Sequence, residues 1–214
     1  RQMCIRDRAG SVTASDTVTF SNTGTLTVQS GSDITANDGF TASGVAVLGA
    51  DVTTVTAPAG FAELRIADGA NVTVSTTGGT FDVTGTTQGT QGGAPESLTV
   101  IAGAGDVTLG DVFGANGTAI ATGLSDLTVA SADELSIGEI AIDGDFNVSA
   151  TGAVSFSGAA ALEDAVLDGD NFILSDFTAA GALTIDATGA IAQTTNTTLT
   201  VCLLYTSPSP RDGS

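Results

Sequence analysis

The sequence predicts an all-β chain wound into a parallel β-helix, a β-solenoid of about 17–20 residues per coil. Three observations carry the prediction. Apolar–polar–apolar steps of three residues recur along the chain, the period-two pattern of a short half-buried strand. Gly, Asn, Asp or Ala separates most of them, with 28 Gly in 214 residues, and Thr and Val abound where a helix would need long unbranched side chains. Corresponding steps return every 17 to 20 residues, too short an interval for a sandwich domain or a propeller blade but suited to one coil of a solenoid.

Taken in order, the steps are Leu26–Val28, Leu64–Ile66, Val72–Val74, Phe81–Val83, Leu98–Val100, Val107–Leu109, Leu127–Val129, Leu135–Ile137, Phe146–Val148, Val154–Phe156, Leu183–Ile185 and Leu199–Val201. Within pairs they lie 8 or 9 residues apart, as 64 with 72 and 146 with 154. Between pairs the intervals 64 to 81, 81 to 98 and 127 to 146 set the coil length, and 146 to 183 spans two coils. The interval from 98 to 127 is too long, and its excess falls in "FGANGTAIATG", read as an insertion loop over 113–123. Around ten coils fit between residues 9 and 201, a rod of roughly 50 Å at about 4.8 Å per coil. Inward Val, Leu and Ile, with Phe81, Phe146, Phe156 and Phe172, fill its layers, while Gly and Ala at corners let the chain turn where a larger side chain clashes.

Composition narrows function. The formal charge is -19, yet 42% of residues are apolar and mean hydropathy is +0.31, so this is not a disordered acidic tail. Such acidity excludes nucleic-acid binding. No apolar run approaches the roughly 20 residues of a membrane helix, and no membrane insertion is expected. The four sequons, at Asn71, Asn116, Asn147 and Asn196, are ordinary for a chain this rich in Asn and Thr.

The two ends differ from the body. Arg1, Arg6, Arg8 and Arg211, both cysteines (Cys4 and Cys202), the single Met and the single Tyr all lie there. Residues 9–201 then hold one cation, Arg65, and 22 carboxylates (24 less Asp7 and Asp212), a net charge of 1 − 22 = −21. A disulfide joining Cys4 to Cys202 is one reading of the ends. A common origin in DNA accounts for more. Met3 to Asp7 reverse-translates as ATG TGT ATA AGA GAC; followed by AG, its opposite strand is CTGTCTCTTATACACAT, which from the second base encodes Cys-Leu-Leu-Tyr-Thr, the residues of Cys202 to Thr206. Both ends resemble translated sequencing adapter. The expected organisation is therefore adapter-derived sequence at 1–8 and 202–214 around a solenoid fragment at 9–201.

The phrases "GTLTVQSGSDITA", "DFNVSATGAVSFSG" and "GALTIDATGAIAQTTNTTLTV" resemble the repeats of large bacterial surface proteins of the filamentous-haemagglutinin and autotransporter-passenger kind. The resemblance lies in pattern and composition and transfers no functional residue. It implies a right-handed parallel β-helix, secreted or displayed on the outer cell surface, serving as a stalk or adhesin passenger. The partners it implies are a host or neighbouring-cell surface, a glycan or a matrix component.

Catalytic chemistry is sparse. Acid–base and nucleophilic catalysis draw on His, Cys, Lys, Tyr or paired carboxylates, and residues 9–201 offer only carboxylates and hydroxyls. Some β-helices cleave polysaccharides with Asp clusters, but sugar sites want aromatic platforms and this body has no Trp or Tyr. No catalytic or cofactor-binding residue is expected, and the fragment is read as no enzyme. The alternatives are non-catalytic coils of a β-helical carbohydrate-active enzyme and a calcium-dependent surface-layer module.

For calcium the sequence offers Asp143 with Asp145, Asp164 with Asp168 and Asp170, and Asp133 with Glu134 and Glu139. Turns dense in carboxylates and carbonyls can supply six to eight oxygens. The EF-hand pattern fails at Val148, however, and solvated turn carboxylates are the simpler reading. Thr-x-Thr, at Thr17/Thr19, Thr25/Thr27 and Thr198/Thr200, does not recur coil by coil and so points to no ice-binding face. Arg65 is expected to pair with Glu63 or Asp68.

Overall fold

A computed structural model describes residues 10–119 and 123–206. Every described element is a β-strand, and every pairing between named strands is parallel. The chain winds through nine complete coils, a stack of about 43 Å at 4.8 Å per coil. Each coil visits three faces in turn. The first face is built from Val12–Ala14, Ile34–Ala36, Val52–Thr54, Asn71–Ser75, Glu96–Ile101, Leu124–Ala132, Phe146–Ala150, Ala165–Gly169 and 182–187. The second runs from Val18–Phe20 to Ile191–Gln193, and the third from Leu26–Val28 to 199–201. The corner between second and third faces is often only a bend inside one strand, as in Phe40–Leu48 and Ala59–Ile66.

All twelve steps read from the sequence fall on strands. Their alignment differs. Leu64–Ile66 lies on the third face, Phe81–Val83 on the second and Leu98–Val100 on the first, so 64, 81 and 98 are not equivalent. The true partners are Leu64 with Thr87, Phe81 with Val107 and Leu98 with Leu127. Steps on three faces share one composition, and spacing alone confuses neighbouring faces with neighbouring coils. Where Leu127 pairs with Phe146, and Phe146 with Ala165 and then Leu183, the expected spacing holds. The coil from Leu98 to Leu127 spans 29 residues, and its excess lies in the loop joining Val107–Phe113 to Leu124–Ala132.

Side chains alternate inward and outward, and the inward ones form one continuous core. Volume is matched between coils. Phe20 stacks on Ala42, Phe40 on Ala59, Ala42 on Phe61 and Ala59 on Phe81. Phe146 stacks on Ala165, and Ala160 on Phe177. Each ring occupies room left by a methyl group in the next coil, so the rings climb as a staircase. Centroid separations are 5.7, 5.2 and 5.9 Å from Phe20 to Phe81, and 6.0 and 5.5 Å from Phe146 through Phe156 to Phe177. Such tilted and edge-on pairs add about 0.5–1.5 kcal/mol each beyond burial.

The bend between the second and third faces has its own requirement. Gly85, Gly110, Gly138 and Gly158 occupy it in successive coils. A Cβ on Gly110 would lie 2.2 Å from the Gly85 carbonyl oxygen, and one on Gly138 would lie 2.5 Å from that of Gly110. Backbones here pass too closely for any side chain.

Of the adapter-like segments 1–8 and 202–214, residues 1–8 and 207–214 lie outside the described residues, as does Cys4 of the disulfide reading. Cys202 is a free, exposed thiol. The strand Leu199–Thr206 runs through the boundary expected at Val201 and pairs Leu203–Thr206 with Ala182–Ile185. A parallel edge accepts an extended segment by backbone bonds alone, whatever its origin.

Gly110→Ala is expected to cost about 1–3 kcal/mol through overpacking. Gly93→Ala, where an added Cβ meets no atom within 4 Å, is expected to leave stability unchanged. Urea denaturation of the two variants checks this, and equal midpoints would contradict the close-approach account.

Candidate functional site

At each corner the backbone leaves the strand ladders, and its N–H groups need other acceptors. Carboxylates supply them. Asp51 Oδ1 accepts from Thr73 N at 2.8 Å, Asp68 Oδ1 from Ala94 N at 3.0 Å, Asp126 Oδ1 from Asp145 N at 2.9 Å and Asp164 Oδ1 from Ala182 N at 2.5 Å. These lie at the return corner, between the third face and the first face of the next coil. At the other corners Asp111 Oδ1 accepts from Glu139 N at 3.0 Å, Asp176 Oδ1 from Thr198 N at 2.7 Å, and Asn22 Oδ1 from Gly44 N at 3.0 Å. In each of these bonds the earlier coil accepts and the later coil donates. Six carboxylates of the acidic sequence are thus coil-to-coil corner caps.

This geometry separates residues that the sequence grouped as calcium candidates. Asp164 caps a return corner, Asp168 stands on the first face in register with Ser149 and Asp186, and Asp170 accepts from Thr188 Oγ1 at the next corner, 2.8 Å away. Asp143 and Asp145 share the turn before Phe146. Asp133 accepts from Thr151 Oγ1 at 2.9 Å, and Glu139 lies one corner further on. Among the described residues no three carboxylate, thiol or imidazole groups converge as metal ligands. Glu134 and Glu139 are split by the strand Leu135–Ile137, and Asp164 and Asp170 by the strand Ala165–Gly169. The coils instead align Asp126, Asp145 and Asp164. Asp145 is exposed, and its pKa is raised from the ordinary aspartate value by partial desolvation, then by the charges of Asp126 and Asp164.

Arg65 is bound as expected: its Nη2 lies 2.7 Å from Glu63 Oε1, and Gln88 Nε2 donates to the same oxygen at 3.4 Å. Thr13, Thr35 and Thr53 do stack in register on the first face, as do Thr73, Thr99 and Thr128. Asn147 and Val166 then interrupt the second column.

Chain length varies most at the return corner. It is short at 49–51, where an open groove of about 410 Å³ lies between Gln29, Ser30, Gly49, Asp68 and Asn71. It is long at 90–95 and 114–123, in consecutive coils. The two long loops touch through Asn116 Nδ2 and Gln91 Oε1 at 3.0 Å. The second opens with a tight turn, Ala115 to Thr118, with φ of 50° at Asn116 and 73° at Gly117.

Beneath these loops lies a residue that sequence reading passed over. Glu96 begins a first-face strand and is 1% exposed. Its Oε1 accepts from Thr90 Oγ1 at 3.3 Å, while Oε2 has no partner. Burial raises its pKa; the Thr90 bond works against that, the charge of Asp68 adds to it, and the result is about 7. Period two carried the signal, since Glu96 is in phase with Leu98 and Val100 and must point inward with them. No family model, curated protein or solved structure matches the chain.

Asp145→Asn is expected to raise the melting temperature at neutral pH. Because the folded pKa of Asp145 lies above its unfolded value, the penalty it removes is absent at acid pH and grows as pH rises through the carboxylate range. Thermal scans from acid to neutral pH check this, and a gain that persists at acid pH would contradict the charge-column account. Added sodium chloride is expected to raise the native melting temperature by screening the acidic rod. Millimolar calcium at matched ionic strength is expected to do no more, and calorimetric heat of calcium binding would contradict that.

Proposed function

We propose that this chain is a structural and adhesive segment of a secreted or surface-exposed bacterial repeat protein, a stalk whose long return-corner loops make the contacts. One observation carries the reading. Three ladders continue through every coil while variation in length is concentrated at one corner, in the touching loops 90–95 and 114–123. A parallel stack with a continuous apolar core resists bending, and loops on a rigid scaffold are where binding residues concentrate. The repeat phrases of surface-protein type support an extracellular setting. The polar loop residues Gln91 and Asn116 suit a glycan or a polar matrix surface. Among the described residues no helix is long and apolar enough to cross a membrane.

The loop can be removed without disturbing the ladder. Gly114 O accepts from both Gly89 N and Leu124 N, at 2.8 and 2.9 Å, so the ends of the loop already meet. Replacing residues 115–122 with two glycines is expected to leave the far-ultraviolet circular dichroism intact. The same change should cut the attachment of chain-coated beads to surfaces bearing mucin-type O-glycans or collagen at least tenfold. Undiminished attachment, or none by the native chain, would refute the adhesive role.

A further inference from the structure

The two buried side-chain polar atoms without a hydrogen-bond partner among the described residues are Thr87 Oγ1 and Glu96 Oε2. They flank one return corner, the one from which loop 90–95 emerges. A carboxyl group so placed has a defined seat. A Cβ on Gly89 would come within 2.5 Å of Glu96 Oε2 and 2.2 Å of Leu124 N, so the carboxyl group fills space that only glycine leaves free. The seat is closed by backbone bonds: Gly89 N and Leu124 N to Gly114 O, Glu96 N to Gly123 O at 2.9 Å, and Thr90 N to Ile66 O at 3.0 Å. Ser125 Oγ adds a bond to Glu96 O at 3.1 Å.

The surroundings favour a neutral acid. In the preceding coil the facing charge is Asp68, already engaged with Ala94 N. In the following coil it is Asp126, whose Oδ2 competes with Glu96 O for the one proton of the Ser125 hydroxyl. Neither 90–95 nor 114–119 contains a charged residue. The single cation among the described residues, Arg65, is held by Glu63. A neutral carboxyl group fits this seat; a carboxylate there is buried, has one weak donor and faces the charge of Asp68.

The geometry points to a proton-gated latch: protonated Glu96 holds the return corner closed beside loop 90–95, and loss of its proton to solvent opens that corner so water reaches the carboxylate. Corner opening is local, because the ladders above and below have their own bonds. The device rests on the fold alone and does not require the loops to be adhesive.

Amide hydrogen exchange on the whole chain tests it. Between pH about 5.5 and about 8.5, the protection factors of Gly89, Glu96 and Leu124, corrected for intrinsic rate, should fall at least tenfold relative to those of Val107 and Leu135. In Glu96→Gln the ratio should stay flat. An equal fall in Glu96→Gln, or no fall in the native chain, would overturn the latch. Should Glu96→Gln fail to fold, carbon-13 titration of the Glu96 carboxyl in the native chain decides: a midpoint in the ordinary carboxylate range refutes the proposal, and one near neutrality accompanied by loss of protection supports it.

Discussion

The spacing between hydrogen-bonded parallel strands, about 4.8 Å, is the constraint on which this molecule is built. Once strands from successive coils are locked at that distance, every inward side chain must share its layer with the residues directly above and below. Phe40 is accommodated because Ala59 lies next to it, and Phe177 because Ala160 does. The same distance leaves no room for a Cβ at Gly110 and Gly138 in the bend between the second and third faces. It also brings a corner carboxylate within reach of an N–H one coil later, as Asp51 is of Thr73. Packing, backbone and electrostatics here answer to a single length.

The acidity of the chain has its physical account in the corners. Lys or Arg at those places offers no acceptor to a backbone N–H; Asp is short and binds such a group directly. The cost is a column of like charges, most visible at Asp126, Asp145 and Asp164, which the single described cation cannot neutralise. Glu96 is the exception that clarifies the rule. It sits on the inner side of a corner with its strand partners Leu98 and Val100, and it is the carboxyl group whose pKa reaches about neutrality.

The strands and their class were legible because period two survives in segments as short as Leu26–Val28 and Leu135–Ile137. Strands with Ala or Thr inward, such as Ala160–Leu162 and Val52–Thr54, escaped notice for the lack of apolar contrast. Register was legible from Leu98 onward, where the insertion over 113–123 accounts for the one long coil, and illegible from Leu64 to Leu98, because loops such as 90–95 shift the spacing without marking the face. The carboxylates grouped as metal candidates are spread along the rod for a related reason. Proximity along the chain between Asp164 and Asp170 is not proximity in space when a strand and a corner intervene, whereas Asp126 and Asp145, nineteen positions apart, are neighbours.

The carboxylate caps at the corners all run one way, and they make the two sides of a capped coil chemically unlike. A transverse cut through the rod leaves amide donors on the carboxyl-terminal piece and carboxylate acceptors on the amino-terminal piece, as between Asp126 and Asp145 or Asp164 and Ala182. The pieces are complementary in one orientation only: head to tail the cut surfaces match, while two heads present donors to donors and two tails present anions to anions. Directionality is therefore written into the capped layers, and a rod of this kind carries a vector along its axis as a polymer with distinct plus and minus ends does.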